Sequence, residues 1–231
     1  EYNVIIMSYY LIAPAKTFHS SDNLLTYTSD APLSPGHIVE IPLGKKTAIG
    51  IVSSETSQPD FETKPIIRKI YDTPLPPHLM KALFWIADYY RCPLSSVIQA
   101  MLPRGITKKR RASKTETTPA LHTEQEATNP LNNAQKRAIK EIESSAANTV
   151  LLHGITGSGK TNVYIELAKH TIKNGQSVIL LVPEIALTSQ LVSNFQKHFP
   201  DIVLLHSAQT EAVRHRLWEQ TLNSTQSQVI I

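Results

Sequence analysis

The apolar positions of this chain follow two rhythms. Over roughly the first third they come in short runs broken by turn formers. Tyr9–Ala13, Leu24–Thr28, His37–Leu43, Ala48–Ser53 and Pro65–Tyr71 are apolar or β-branched. Ser20-Ser21-Asp22-Asn23, Ser34-Pro35-Gly36, Gly44-Lys45-Lys46 and Gln58-Pro59-Asp60 are among the turn signals between them. Strands this short and this closely spaced predict a small barrel or open half-barrel. From Pro76-Pro77 the rhythm lengthens. Met80, Leu83, Phe84, Ala87 and Tyr90 recur at helical spacing, and Cys92-Pro93 stops the run. Leu94–Leu102 reads as a second short helix, closed by Pro103-Arg104-Gly105. Helical spacing favours packing of Phe84, Trp85, Tyr89 and Tyr90 against the barrel; a base-stacking surface is the alternative.

Residues 106–130 lose the apolar pattern. Lys108-Lys109-Arg110-Arg111 is a basic run, followed by Ser, Thr, Glu, His and Asn, the composition of a linker. The run could touch phosphates or simply be solvated. Beyond it, helices and strands alternate. Asn133–Ile142 reads as a helix, Thr149–His153 as a buried parallel strand, Thr161–Lys173 as a helix capped by Asn174-Gly175, and Ser177–Val182 as a second buried strand. A helix from Pro183 to about Phe199, a strand over Ile202–His206, a helical stretch from Ser207 and a strand from Gln228 follow. This order predicts an α/β fold with a parallel sheet and ligand sites at the carboxyl ends of its strands. The expected organisation is a β-rich domain with two helices over 7–105, a basic and polar linker over 106–130, and an α/β unit over 131–231.

One motif gives the second half its chemistry. Gly154, Ile155, Thr156, Gly157, Ser158, Gly159, Lys160 and Thr161 fit G-x-x-x-x-G-K-[ST] between a predicted strand and helix. In such a loop, glycines let the backbone approach phosphates. Loop N–H groups and the helix N-terminus face the anion. Lys160 would meet the β- and γ-phosphates and Thr161 would offer its hydroxyl to Mg²⁺. Composition adds less. The 231 residues carry a net charge of +4, compatible with nucleic acid but no proof of it. The single cysteine, Cys92, excludes an internal disulfide and a cysteine zinc site and fits a reducing cytoplasm. No apolar run approaches the length of a membrane span. No apolar run after residue 161 ends in the Asp or Glu that such a motor needs for Mg²⁺ and water, so the sheet reads as unfinished and the chain as the front part of a larger protein.

The C-terminal half resembles the first motor domain of superfamily 2 helicases, a RecA-like fold. More narrowly, it resembles the primosomal protein N′ (PriA) family of bacterial replication-restart helicases. The matching stretches are Leu131-Asn132-Asn133-Ala134-Gln135, Gly154–Thr161, Val182–Thr188, Leu205-His206-Ser207, and Arg214 with Trp218. The N-terminal half resembles that family's 3′-end DNA-binding domain at Leu25-Thr26-Tyr27, Pro35-Gly36, Val39–Gly44, Ile49–Val52, and Ala87–Tyr90 with Pro93-Leu94.

The resemblance implies an ATP-dependent 3′-5′ DNA helicase of replication restart, using ATP and Mg²⁺. DNA forks, single strands with 3′ ends, primosome proteins and single-strand-binding proteins are the implied partners. It implies that Gln135 reads the adenine edge and that Thr188 and Ser207 contact the single-strand backbone. It implies a 3′-end pocket of Leu25, Thr26, Gly44 and Lys64. The family often has Phe then Asp where Leu25 and Thr26 stand, so a carboxylate acceptor for the 3′-hydroxyl is missing here. The linker stands where the family usually has a winged helix, and the family's zinc-binding cysteines are expected beyond residue 231. A non-catalytic DNA-binding fragment with a scaffold ATP-binding half is the alternative reading.

Overall fold

The computed structural model describes residues 7–16, 24–107, 130–155, 157–182 and 185–231, with backbone only for 185–190. Two compact units emerge, 1–111 with 211–223 and 112–210 with 224–231.

In the first unit four main strands, β1 (Ser8–Pro14), β2 (Leu25–Ser29), β3 (Ile38–Leu43) and β4 (Lys46–Thr56), form two antiparallel pairs, β1–β2 and β3–β4, joined by β1 against β4. The last predicted run, Pro65–Tyr71, yields two short pairings instead of one strand, β5 (Lys64–Pro65) and β6 (Arg68–Lys69). The sheet order is β5-β2-β1-β4-β3-β6. β5 lies parallel to β2 and β6 antiparallel to β3, so residues 64–69 reach from one edge of the sheet to the other. That forces the sheet to curl into the expected half-barrel. The period-2 alternation of a strand then supplies two cores. Tyr10, Ile12, Tyr27, Val39, Ile41, Leu43, Ala48 and Val52 fill the inside of the curl. Ala13, Ile38 and Ile51 point outward and are covered by α1 (Pro77–Tyr89) and α2 (Leu94–Met101), through Met80, Leu83, Leu94, Val97 and Ile98.

The α1 stripe is narrower than its spacing predicts. Met80 and Leu83 are buried, but Phe84, Trp85, Tyr89 and Tyr90 are exposed, Trp85 and Tyr89 at 59% and 65%. Packing of the four aromatic residues against the barrel is therefore overturned. Trp85 and Tyr89 stack on each other, with centroids 4.9 Å apart. The helix supplies the reason. Trp85 and Tyr89 are one turn apart on the face away from Leu83, and Arg91 at φ +49 turns the chain aside just after Tyr90.

One more helix completes this unit. α6 (Glu211–Asn223), counted after the helices of the second unit below, lies in the sequence among the α/β elements but packs here. Trp218 and Leu222 lie against the outer core, and His215, 4% exposed, is hydrogen-bonded through Nε2 to the Tyr71 hydroxyl at 2.5 Å.

The second unit contains α3 (Asn133–Ser144), α4 (Lys160–Lys173), β7 (Val178–Ile179), α5 (Ile185–Gln196), β8 (Ile202–Val203) and β9 (Val229–Ile230). The three strands are parallel, in the order β7-β9-β8. Ile165 and Ala168 of α4, Val192 and Phe195 of α5, Phe199, Val229 and Ile231 form its core. The parallel sheet is as expected; two of its strands are not. Thr149–His153 joins no ladder and Leu151 is 87% exposed, while the Ser177–Val182 run pairs only at β7 and leaves Leu181 88% exposed. Apolar, β-branched residues make a strand only where a neighbour meets their N–H and C=O groups. Among the described residues no strand pairs with 149–153.

Candidate functional site

Register gathers the four N-terminal candidates at one end of the curled sheet, the end toward which β1 runs. Leu25 pairs opposite Ile12, and Thr26 opposite Leu11. Lys64 opens β5 beside Tyr27. β3 and β4 continue beyond β1 to a two-residue hairpin, Gly44-Lys45, closed by the pair Leu43–Lys46. Leu25 packs partly on the inner core, Thr26 is half-buried, and Gly44 and Lys64 are exposed. Gly44 has φ +61 at the first turn position, where a type II′ hairpin takes glycine. A Cβ built on it would meet nothing within 4 Å, so the turn itself demands this glycine and the space beside it is open. Below this rim Tyr27 donates its hydroxyl to the Pro42 carbonyl at 2.8 Å and ties β2 to β3. Burial pushes the Tyr27 hydroxyl pKa up, which keeps it a donor.

The second candidate is the loop before α4. Gly159 is the N-cap of that helix at φ +79, a left-handed conformation that glycine adopts without strain. A Cβ there would strike Gln135 Nε2 at 2.3 Å. Lys160 turns its ammonium back on its own loop, donating to the carbonyls of Gly154 at 2.5 Å and Ile155 at 2.9 Å. Thr161 is half-buried in the first turn of α4, where the first N–H groups lack an intrahelical acceptor. The loop thus offers a phosphate the right set: glycines, an ammonium, a hydroxyl and free helix donors.

Gln135 is brought to this loop, though its amide already has partners. Its Oε1 accepts from the Asn132 N–H at 2.9 Å while Asn132 Oδ1 accepts from the Gln135 N–H at 2.9 Å, a capping box that starts α3. Its Nε2 donates to the Ser158 and Gly159 carbonyls at 3.2 and 3.3 Å. Reading by residue type missed this second duty; Asn132 three positions before Gln135 was its signal. A further tie between the same helices, Glu143 on α3 with His170 on α4, carried no sequence signal.

Ser207 lies exposed in the turn after β8. Next to it, His206 donates its backbone N–H to Gln209 Oε1 at 3.2 Å, and its buried Nδ1 has no partner among the described residues. Thr156, the side chain of Thr188 and the run Lys108–Arg111 lie outside the described residues. Among those described, no group of three His, Cys, Asp or Glu could hold a metal, and no helix is long and apolar enough to cross a membrane.

Known proteins match both units. Residues 12–103 match the family model of the PriA 3′ DNA-binding domain, and residues 128–231 match that of the type III restriction enzyme res subunit. The chain is 35% identical over 215 residues to the replication restart protein PriA of Helicobacter pylori, 93% of this chain and 32% of that protein. It is 34% identical over 196 residues to PriA of Treponema pallidum, 80% of this chain and 29% of that protein. With PriA of Chlamydia pneumoniae it is 42% identical over 101 residues, 43% of this chain and 13% of that protein. The chain spans about a third of the length of the first two of these relatives.

Proposed function

The chain belongs to the family of the replication restart protein PriA, and on that footing we propose that it is the DNA-binding and nucleotide-binding part of an ATP-dependent 3′-5′ helicase acting at stalled forks. One observation carries the reading. A sheet that matches a 3′ DNA-binding domain and a G-x-x-x-x-G-K-T sequence at the head of α4 occur in one chain.

In this reading the N-terminal unit holds a free 3′ end. Leu25 packs on the terminal nucleotide, Thr26 accepts from its 3′-hydroxyl, the open space at Gly44 admits the chain end, and Lys64 meets a phosphate. The loop Gly154–Thr161 holds ATP. Lys160 leaves the Gly154 and Ile155 carbonyls for the β- and γ-phosphates, Thr161 ligates Mg²⁺, and Gln135 faces the adenine. Magnesium supplies charge neutralisation of the phosphates when bound. Thr188 and Ser207 contact the single-strand backbone. Primosome and single-strand-binding proteins are the protein partners, and the compartment is the cytoplasm.

A titration of the 231-residue chain with Mg·ATP tests the nucleotide half. Weak, saturable binding that Lys160→Ala removes is expected, with no hydrolysis, because no apolar run after residue 161 ends in the Asp or Glu that would be the second acidic Mg²⁺ ligand. Equal affinity of Lys160→Ala contradicts the assignment. A second reading, distinct from an ATP-binding scaffold, is a half-domain that never binds nucleotide, and the inward-turned Lys160 favours it. Absence of binding to the unaltered chain selects it.

A further inference from the structure

The end of the half-barrel that carries Gly44 is ringed by lysines. Lys45 sits in the turn and Lys46 opens β4. Lys64 opens β5. Ala15 donates its N–H to the Ile49 carbonyl at 2.7 Å, which extends β1 one step toward that end and brings Lys16 after it. All four are exposed. Three cations elsewhere in the same unit have a carboxylate partner: Arg68 with Glu40 at 2.7 Å, Lys69 with Asp72 at 2.8 Å and Arg91 with Asp88 at 2.7 Å. Lys16, Lys45, Lys46 and Lys64 have no ion pair among the described residues, and the carboxylate closest to them along the chain is Glu62, two residues before Lys64.

Four like charges collected on one rim repel one another unless an anion lies among them. A strand beginning at Lys46 and a turn residue at Lys45 hold two ammonium groups next to each other on a stiff hairpin rather than on a mobile tail. Consecutive residues at a hairpin tip point to different sides, so the pair faces a path and not a point. The open space beside Gly44 adjoins this tip, since Gly44 and Lys45 are the two residues of one turn.

We propose that Lys45 and Lys46, with Lys16, are a phosphate rail: they bind the backbone of single-stranded DNA on the 5′ side of the terminal nucleotide, independently of sequence and of the chemistry of the 3′ end. This rests on the DNA-binding reading above and adds residues and a direction to it. Lys64 and Gly44 govern the terminal nucleotide; the hairpin lysines govern how much upstream strand is gripped.

The experiment is a binding titration of the full 231-residue chain against 3′-hydroxyl oligonucleotides of about two and about ten nucleotides, at several salt concentrations. For the longer strand the slope of log affinity against log salt falls by about 0.7 for each phosphate that is no longer neutralised, so Lys45→Ala with Lys46→Ala lowers it by about 1.4. Lys45→Arg with Lys46→Arg keeps the slope, and Lys81→Ala, a substitution on α1, leaves it unchanged. For the dinucleotide, which has one internal phosphate, the double alanine variant binds like the unaltered chain. The ratio of affinities for the longer strand with a 3′-hydroxyl and with a 3′-phosphate stays the same in the variant. An unchanged slope in a folded double variant overturns the rail and leaves the DNA-binding reading standing. A salt-independent or undetectable interaction of the unaltered chain overturns both. A weakening on the longer strand equalled on the dinucleotide places the lysines at the end pocket and also overturns the rail.

Discussion

Single residues here are set by competing demands, and the balance can be measured. Arg91 ends α1 in the left-handed region at φ +49, where its N–H donates to the Asp88 carbonyl and the Cys92 N–H donates to the Ala87 carbonyl. Glycine is the usual residue at such a position. The left-handed strain of a side chain costs on the order of 1–2 kcal/mol. The added freedom of glycine in the unfolded chain takes back roughly 0.5–1 kcal/mol, and the exposed Asp88 pair adds little. Arg91→Gly therefore stabilises by up to about 1 kcal/mol, read as a higher urea midpoint with unchanged m; a lower midpoint shows that the ion pair outweighs the strain. His198 offers a second case. Burial, and then the charge of Lys169, hold its pKa below the ordinary histidine value. The folded state therefore prefers neutral His198, while the unfolded chain takes up a proton first as pH falls. Its contribution is intact above the unfolded value near 6.5 and disappears as pH drops toward the folded one. His198→Asn flattens the acid side of the stability profile over that window; a profile unchanged by the substitution contradicts the assignment.

At the level of elements, the sequence was legible where a residue's surroundings are local. α1, α2, the four main strands of the N-terminal unit and the helix α4 behind the candidate loop follow from periodicity and from proline and glycine punctuation. What failed depended on partners far along the chain. Thr149–His153 has strand composition and no strand beside it among the described residues. Phe84, Trp85, Tyr89 and Tyr90 have core composition, yet the Met80–Leu83 stripe already fills the space over the sheet. The packing of α6 against Tyr71 joins residues 144 positions apart, a separation that no local pattern encodes. The candidate loop Gly154–Thr161 was marked by its motif and the candidate end pocket only by a resemblance; Lys45 and Lys46 entered as part of a turn signal. The α1 faces separate by experiment. Leu83→Ala, at a fully buried position, costs about 2–5 kcal/mol. Trp85→Ala removes an exposed stacked ring and costs about 1 kcal/mol or less. Equal destabilisation in thermal or urea unfolding means that Trp85 is part of the core after all.

At the scale of the whole chain, the candidate residues for two chemistries fall in two units. One is a half-barrel whose candidate DNA-binding residues meet at a single end, through register alone. The other is a small parallel α/β unit whose candidate phosphate loop is tethered to α3 by Gln135 and folded in on Lys160. Both match parts of the replication restart protein PriA of other bacteria, and the proposal stands or falls on whether the first unit holds a DNA 3′ end. The direct measurement is a titration of one single-stranded oligonucleotide, ending in a 3′-hydroxyl or in a 3′-phosphate, with the unaltered chain and with Lys64→Ala. The account predicts tighter binding of the hydroxyl form, because extra charge and bulk must enter the site beside Gly44. It also predicts affinity that falls steeply with salt and weaker binding by Lys64→Ala. Equal affinity for the two ends, unaltered by Lys64→Ala, would contradict it.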